Sequence, residues 1–182
     1  MKKISWDSIS EQHDPAAIER EKQLREARSE AIRYIGIAAR SSGAVAAFLE
    51  RKMYAAEIIS EVMEQLREEK YLDDTRPARR TLRERTGTKA ESCLALRNRM
   101  LRQGIAPEVV DQFSDQMIPD SESALQLTRI RYKRELQLLS LFDQEERQKL
   151  YGKIGRFLQS RGYAVNVIES TITKVFTENA AE

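Results

Sequence analysis

The chain has 182 residues, 33% of them charged and only 7% aromatic, with a net charge of +2. That is long enough to bury a core, and it suits a helical protein with a large solvated surface better than a compact enzyme. A single cysteine, Cys93, and a single histidine, His13, exclude an internal disulfide and leave too few soft ligands for a structural zinc site. No stretch approaches the roughly 20 apolar residues of a membrane span, and the lysine-containing start has no apolar core like that of a signal peptide. The expected compartment is the cytoplasm.

Residues 1–15 read as a mobile tail in which Ile4 and Trp6 are available to dock. From Pro15 the pattern turns helical. Ile18, Glu21 and Arg25 give a solvated stretch, and Ile32, Ile35 and Ala39 define one apolar face. Arg40-Ser41-Ser42 ends that helix and caps the next.

A pattern then occurs three times, as VAAFLERKMYAAEIISEVMEQL (45–66), LRNRMLRQGIAPEVVDQFSDQM (96–117) and IGRFLQSRGYAVNVIESTITKV (154–175). Laid over one another without gaps, the apolar positions coincide. Val45 matches Leu96 and Ile154, and Leu49 matches Met100 and Leu158. Tyr54 matches Ile105 and Tyr163 at the turn. Ile58-Ile59 matches Val109-Val110 and Val167-Ile168, and Leu66 matches Met117 and Val175. Such a recurrence fixes architecture before any residue chemistry is weighed. The spacing is that of a helix, a turn and a second helix with adjacent apolar pairs. The turns are Lys52-Met53-Tyr54, Gly104-Ile105 and Gly162-Tyr163. Glycine suits the left-handed residue that ends a helix, so the copy with Met53 needs another way to close. Pro107 opens the next helix of the second copy, with Glu108 beside it at the positive helix end.

A variable helix precedes each pair, roughly Glu19–Ala39, Arg76–Arg85 and Ser123–Leu139. The expected fold is all-α. Three tandem three-helix, helix-turn-helix-like modules (16–72, 73–119 and 120–178) form an elongated, curved array, with 1–15 and 179–182 as tails.

Charge is unevenly spread. From Arg76 to Arg102 there are nine Lys/Arg against two Asp/Glu, and from Arg129 to Arg161 nine against four. Segregation of this kind points to an anionic partner. If Ala78 and Leu82 face the core, Arg76, Arg80 and Arg83 point outward with Arg79 on the flank, and Arg97, Arg99 and Arg102 add charge on the following helix. Outward arginines at helical spacing can track phosphates or acidic protein surfaces. Arg129, Arg131, Lys133 and Arg134 form a second cluster, with Lys153, Arg156 and Arg161 downstream. There Glu135, Asp143, Glu145 and Glu146 dilute the signal.

Other features read as structural. Tyr54 and Tyr163 recur at one repeat position and are packing elements before they are base-stacking platforms. Asp73-Asp74 caps the Arg76 helix, since adjacent carboxylates diverge on a helix and no third ligand stands near. Gly152-Lys153-Ile154-Gly155 has the spacing of a phosphate-clamping loop but falls inside a helical pattern. There is no phosphate-binding nucleotide motif, no persuasive catalytic pair and no implied cofactor or metal. The chain reads as a non-enzyme.

Three stretches carry a family resemblance. Tyr71-Leu72-Asp73-Asp74-Thr75-Arg76, Leu101-Arg102-Gln103-Gly104-Ile105 and Phe157-Leu158-Gln159-Ser160-Arg161-Gly162-Tyr163 occur in order. They resemble the intermodule signature and the second- and third-module turns of the RecX family, bacterial regulators of the RecA recombinase. The likeness runs from about Ala31 to Val175. The chain departs from the family at Pro77-Ala78, where Phe-Ala is usual, at Leu96-Arg97, where Glu-Leu is usual, and at the first turn, which lacks glycine.

The chain itself reads as a monomer, and the resemblance implies a protein that binds along the RecA–DNA filament. There it would modulate, and usually inhibit, strand exchange, ATP hydrolysis and the coprotease activity of the SOS response. The competing reading is a direct helix-turn-helix-like DNA-binding protein. Against it, the last helix of the first module is acidic, with Glu57, Glu61, Glu64, Glu68 and Glu69, where a dedicated reader would present a recognition helix of distinctive polarity.

Overall fold

The computed structural model describes residues 15–38 and 40–180. The expected N-terminal tail, with Ile4, Trp6 and His13, and Ala39 of the expected apolar face lie outside those residues. Among the described residues there are ten α-helices and no strand. The fold is therefore all-α, and among the described residues no helix is long and apolar enough to cross a membrane. It divides into two compact units between Pro77 and Ala78.

The first unit holds α1 (Pro15–Ile35), α2 (Ser42–Arg51) and α3 (Ala56–Glu68). The buried stripe of α1 is Ala27, Ala31 and Ile35, with Leu24 and Ile32 only partly covered. The helix also ends four residues short of the expected Ala39, because Gly36 takes a left-handed φ of +48°. Two fully buried alanines present almost no side-chain bulk, so α1 can lie close on its neighbours. α2 starts where the sequence predicts, with the Ser41 hydroxyl accepting the Ala44 amide at 3.3 Å. α3 buries Ile58, Ile59, Val62, Met63 and Leu66 and turns its glutamates outward. One of these and the Glu69 that caps the helix end meet α1 arginines, Arg20–Glu61 at 2.5 Å and Arg28–Glu69 at 2.6 Å.

The turn between α2 and α3 closes as a glycine turn would, although its residue is methionine. Met53 adopts φ +64° and is 89% exposed. Its amide donates to Glu50 O at 2.9 Å and the Tyr54 amide to Leu49 O at 3.4 Å. Gly104 (φ +76°) and Gly162 (φ +85°) do the same in the other copies.

α4 (Thr75–Glu84) carries the division between the units. The second unit continues with α5 (Cys93–Arg102), α6 (Pro107–Gln112), α7 (Asp120–Arg131), α8 (Lys133–Gln137), α9 (Gln144–Ser160) and α10 (Val165–Ala180). The expected single helix Ser123–Leu139 is in fact two helices and a 3-10 turn, Leu139–Leu141. Tyr132 leaves helical geometry at φ −115°, ψ 23°, while Tyr132, Leu136 and Leu139 are all buried. α9 begins with a reciprocal capping box between Asp143 and Glu146, and it includes Gly152 and Gly155 without interruption.

Three hydrophobic clusters result: one in the first unit, one around Ala78, Leu96, Met100, Ile105, Val110 and Phe113, and one from α7 to α10. All the matched repeat positions are buried or pack against a cluster. Each fully buried aliphatic among them contributes about 1.5–3 kcal/mol.

One recurring device escaped the sequence reading. Asp74, 7% exposed, accepts the Ser42 amide and the Ser42 hydroxyl, both at 2.7 Å, at the start of α2. Asp120 accepts the Cys93 amide at 2.7 Å at the start of α5. In both, a carboxylate from the start of a later helix sits at the positive end of an earlier one, where helix N–H groups lack internal partners.

Candidate partner-binding surface

The arginines of α4 fall on one arc because the helix is set by its cap and its apolar side. Asp73 Oδ1 accepts the Thr75 amide at 3.0 Å and its hydroxyl at 2.5 Å, which starts the helix. Asp73 thus does the capping expected of the pair, while Asp74 serves α2. Pro77, Ala78 and Thr81 are buried and Leu82 is partly so, which leaves Arg76, Arg79, Arg80 and Arg83 exposed on the opposite side. Arg76 lies 3.6 Å from Asp73 Oδ2 with its side chain 72% exposed. Arg79 sits 5.9 Å from the Phe113 ring centroid. Arg83 makes no ion pair among the described residues.

The arginines of α5 divide. Arg99 grips Glu91 with two bonds, Nε to Oε2 at 2.9 Å and Nη2 to Oε1 at 2.6 Å. Arg85 approaches the same carboxylate at 3.4 Å. The Arg99 hydrogen bond holds the Glu91 carboxyl below its ordinary range despite burial, and Glu91 in turn raises Arg99. Arg97 pairs with Asp111 of α6. Arg97 and Arg99 therefore tie elements of the second unit together, whereas Arg102 is exposed with no ion pair among the described residues.

The second basic cluster divides the same way. Arg129 bonds Glu178 at 2.7 Å, and Lys153 bonds Glu135 at 3.2 Å. The carboxyl of Glu135 is lowered, first by its own backbone amide and then by Lys153. Arg131 and Arg161 lie 6.0 and 5.3 Å from the Phe157 ring centroid. Lys133, Arg134 and Arg156 are exposed without an ion pair among the described residues.

The sequence reading missed the aromatics that hold these cations, Phe113 and Phe157. It also missed a stack in the first unit, where Tyr34 and Phe48 lie 4.1 Å apart and nearly parallel between Arg40 and Lys52. Phenylalanine next to an arginine-rich helix is the available signal for such contacts.

The repeat tyrosines are packing elements. Tyr163 is 4% exposed and shares a 2.7 Å hydrogen bond with Ser123, and burial raises its hydroxyl pKa. Tyr54 is partly buried against the first cluster. No group of three or more metal-ligating side chains occurs among the described residues. Burial and the neighbouring Asp120 push the Cys93 thiol up to about 11, so it is protonated near neutral pH and a poor nucleophile.

These features define an all-helical protein with arginine-rich exposed helix faces. No family model matches the chain. It is 27% identical over 148 residues to the regulatory protein RecX of Clostridium tetani, spanning 81% of this chain but just under two thirds (66%) of that protein's length. It is 29% identical over 153 residues to RecX of Prosthecochloris aestuarii, covering 84% of this chain and 95% of that one. RecX of Trichlorobacter lovleyi is 28% identical over 126 residues, 69% of this chain and 80% of that one. Among solved structures, RecX from Lactobacillus salivarius superposes with a TM-score of 0.67 at 16% identity, over 85% of this chain and 97% of that one. A second RecX crystal structure gives 0.61 at 21%, over 92% and 77%. The chain is thus similar in sequence to proteins named RecX and shares the fold of the RecX crystal structures.

Proposed function

We propose that this chain is a regulator of the RecA recombinase. It binds the RecA–DNA filament and inhibits its recombinase, ATPase and coprotease activities in DNA repair and the SOS response. The observation that carries the reading is the likeness, over most of the chain, to proteins named regulatory protein RecX. The protein acts by binding energy and not by catalysis, as a cytoplasmic monomer, through three modules at 16–72, 73–119 and 120–178.

Its contact surface for filament DNA or acidic protein is basic. Arg76, Arg79, Arg80, Arg83 and Arg102 lead it, with Arg131, Lys133, Arg134, Arg156 and Arg161 as a second patch. Arg97, Arg99, Arg129 and Lys153 belong to the same charged regions, but each is hydrogen-bonded to a carboxylate, where Arg76 only approaches Asp73 at 3.6 Å, so these four contribute field more than direct contacts.

A direct DNA reader is disfavoured by the helices available to it. α3 is acidic, and α6 has six residues, with Glu108 in its first turn and Asp111 paired to Arg97. The discriminating experiment is fluorescence anisotropy of labelled single-stranded DNA, naked or coated with RecA, from about 50 to about 200 mM salt. The proposal expects tight binding to the filament and weak binding to naked DNA. Tight, sequence-selective binding to naked DNA with a steep salt slope would overturn it.

A further inference from the structure

A recess of about 360 Å³ opens in the second unit, between α4, the loop from Arg85 to Glu91, the start of α5 and the approach to α7. That volume is near the lower end of the about 300–1,000 Å³ typical of ligand pockets, so it suits one large side chain better than an extended molecule. Its apolar lining comes from Leu82, Leu96, Met117 and Ile118, and Arg79 and Arg83 stand at its edge.

The charge at this edge is positive and largely uncompensated. Glu91 is its one acidic residue, and Arg99 and Arg85 already hold it. Arg83 has no ion pair among the described residues, and Arg79 has only the Phe113 ring face. An occupant must therefore be apolar where it enters and anionic where it leaves.

No aromatic side chain lines the recess, so it offers no stacking platform for a nucleobase. Its adaptable aliphatic and thioether walls instead suit an apolar side chain of a protein. The α4 arginines then have separate tasks. Arg79 and Arg83 flank the recess, while Arg76 and Arg80 lie further round the helix.

We propose that this recess is a docking pocket for one apolar side chain, phenylalanine or leucine, carried on an acidic segment of a partner protein, with Arg79 and Arg83 gripping the flanking carboxylates. The inference does not depend on the filament reading and holds whichever protein supplies the segment.

Cys93 lines the pocket and is the chain's only cysteine, so its alkylation reports occupancy there. The test uses the full chain, iodoacetamide at mildly alkaline pH, and the peptide Asp-Glu-Asp-Phe-Glu-Asp-Glu. Controls are the same peptide with alanine for phenylalanine, one with lysines for the acids, and an oligothymidylate. Protection scales as one plus ligand over Kd, so the acidic phenylalanine peptide should slow alkylation about tenfold at about ten times its dissociation constant. The alanine and lysine peptides should not protect. An Arg79→Glu/Arg83→Glu chain, altered only at exposed positions, should lose the protection. No slowing by the phenylalanine peptide, equal slowing by its alanine form, or protection by the oligothymidylate alone would each overturn the proposal. None of these results would by itself touch binding to the filament.

Discussion

Gly162 stands where the backbone is tightly specified. Its φ is +85°, and a Cβ built there would lie 2.9 Å from both Ala95 Cβ and Ser92 Oγ. Neither neighbour can swing away. Ala95 Cβ is fixed to α5, and Ser92 Oγ is the N-cap of that helix, accepting the Ala95 amide at 3.1 Å. The Ser92 amide also donates to Arg161 O at 3.1 Å, so the turn and the helix start are joined on the backbone as well. In Gly162→Ala the left-handed conformation costs about 1–2 kcal/mol, and overpacking or a lost cap adds about 1–3 kcal/mol. The stiffer unfolded chain returns about 0.4–1 kcal/mol. The net expectation is about 2–4 kcal/mol of destabilisation. Gly87→Ala is the control within the same unit, because Gly87 is also left-handed at φ +57° yet a Cβ there would meet nothing within 4 Å. It should cost about 1 kcal/mol. Urea unfolding followed by circular dichroism gives both values. If the two variants fall within about 0.5 kcal/mol of each other, the close approach of the third turn to α5 is wrong.

The converse substitution, Met53→Gly, removes a left-handed non-glycine residue that buries almost nothing. It should raise the stability of the first unit by about 0.5–1 kcal/mol, read as a higher urea midpoint. Asp74→Ala should cost about 1.5–3 kcal/mol through two lost charge-assisted bonds to Ser42, with faster hydrogen exchange at the Ser42 amide. Asp120→Ala should speed exchange at Cys93 in the same way. The Cys93 alkylation rate should rise with pH toward a midpoint of about 11, and Asp120→Asn should lower that midpoint. Because the folded pKa is raised from 9.0, the thiol's contribution to stability is full below about pH 9 and is lost as pH rises to about 11. An alkylation midpoint at the ordinary thiol value would refute the burial of this group.

The core was legible because the apolar positions repeat. Leu49, Met100 and Leu158 are all fully buried, and the turn glycines 104 and 162 are left-handed as their position demands. What was not legible has identifiable causes. Ala27 and Ala31 carry too little hydrophobicity to stand out of a charged helix, so the apolar spacing marks Ile32, Ile35 and Ala39, of which Ile35 is buried and Ile32 partly so. The break at Tyr132 was not legible because Tyr132, Leu136 and Leu139 share the i, i+4, i+7 spacing of one continuous helical face, so the apolar pattern runs through it without a signal. The partners of Arg97 and Arg99 lie 14 and 8 residues away in sequence, and pairing at such range is set by how helices pack. Composition therefore showed where the cations are, but only the fold shows which of them are already held. Asp74 looked like a local cap, and its actual partner, Ser42, is 32 residues earlier.

The most direct test of the regulatory account is DNA-stimulated ATP hydrolysis by RecA, titrated with this protein at substoichiometric ratios beside an Arg76→Glu/Arg80→Glu/Arg83→Glu variant. The account predicts strong loss of hydrolysis with the native chain and a much weaker loss with the variant. No effect at any ratio, together with tight binding of the native chain to naked DNA, would contradict it.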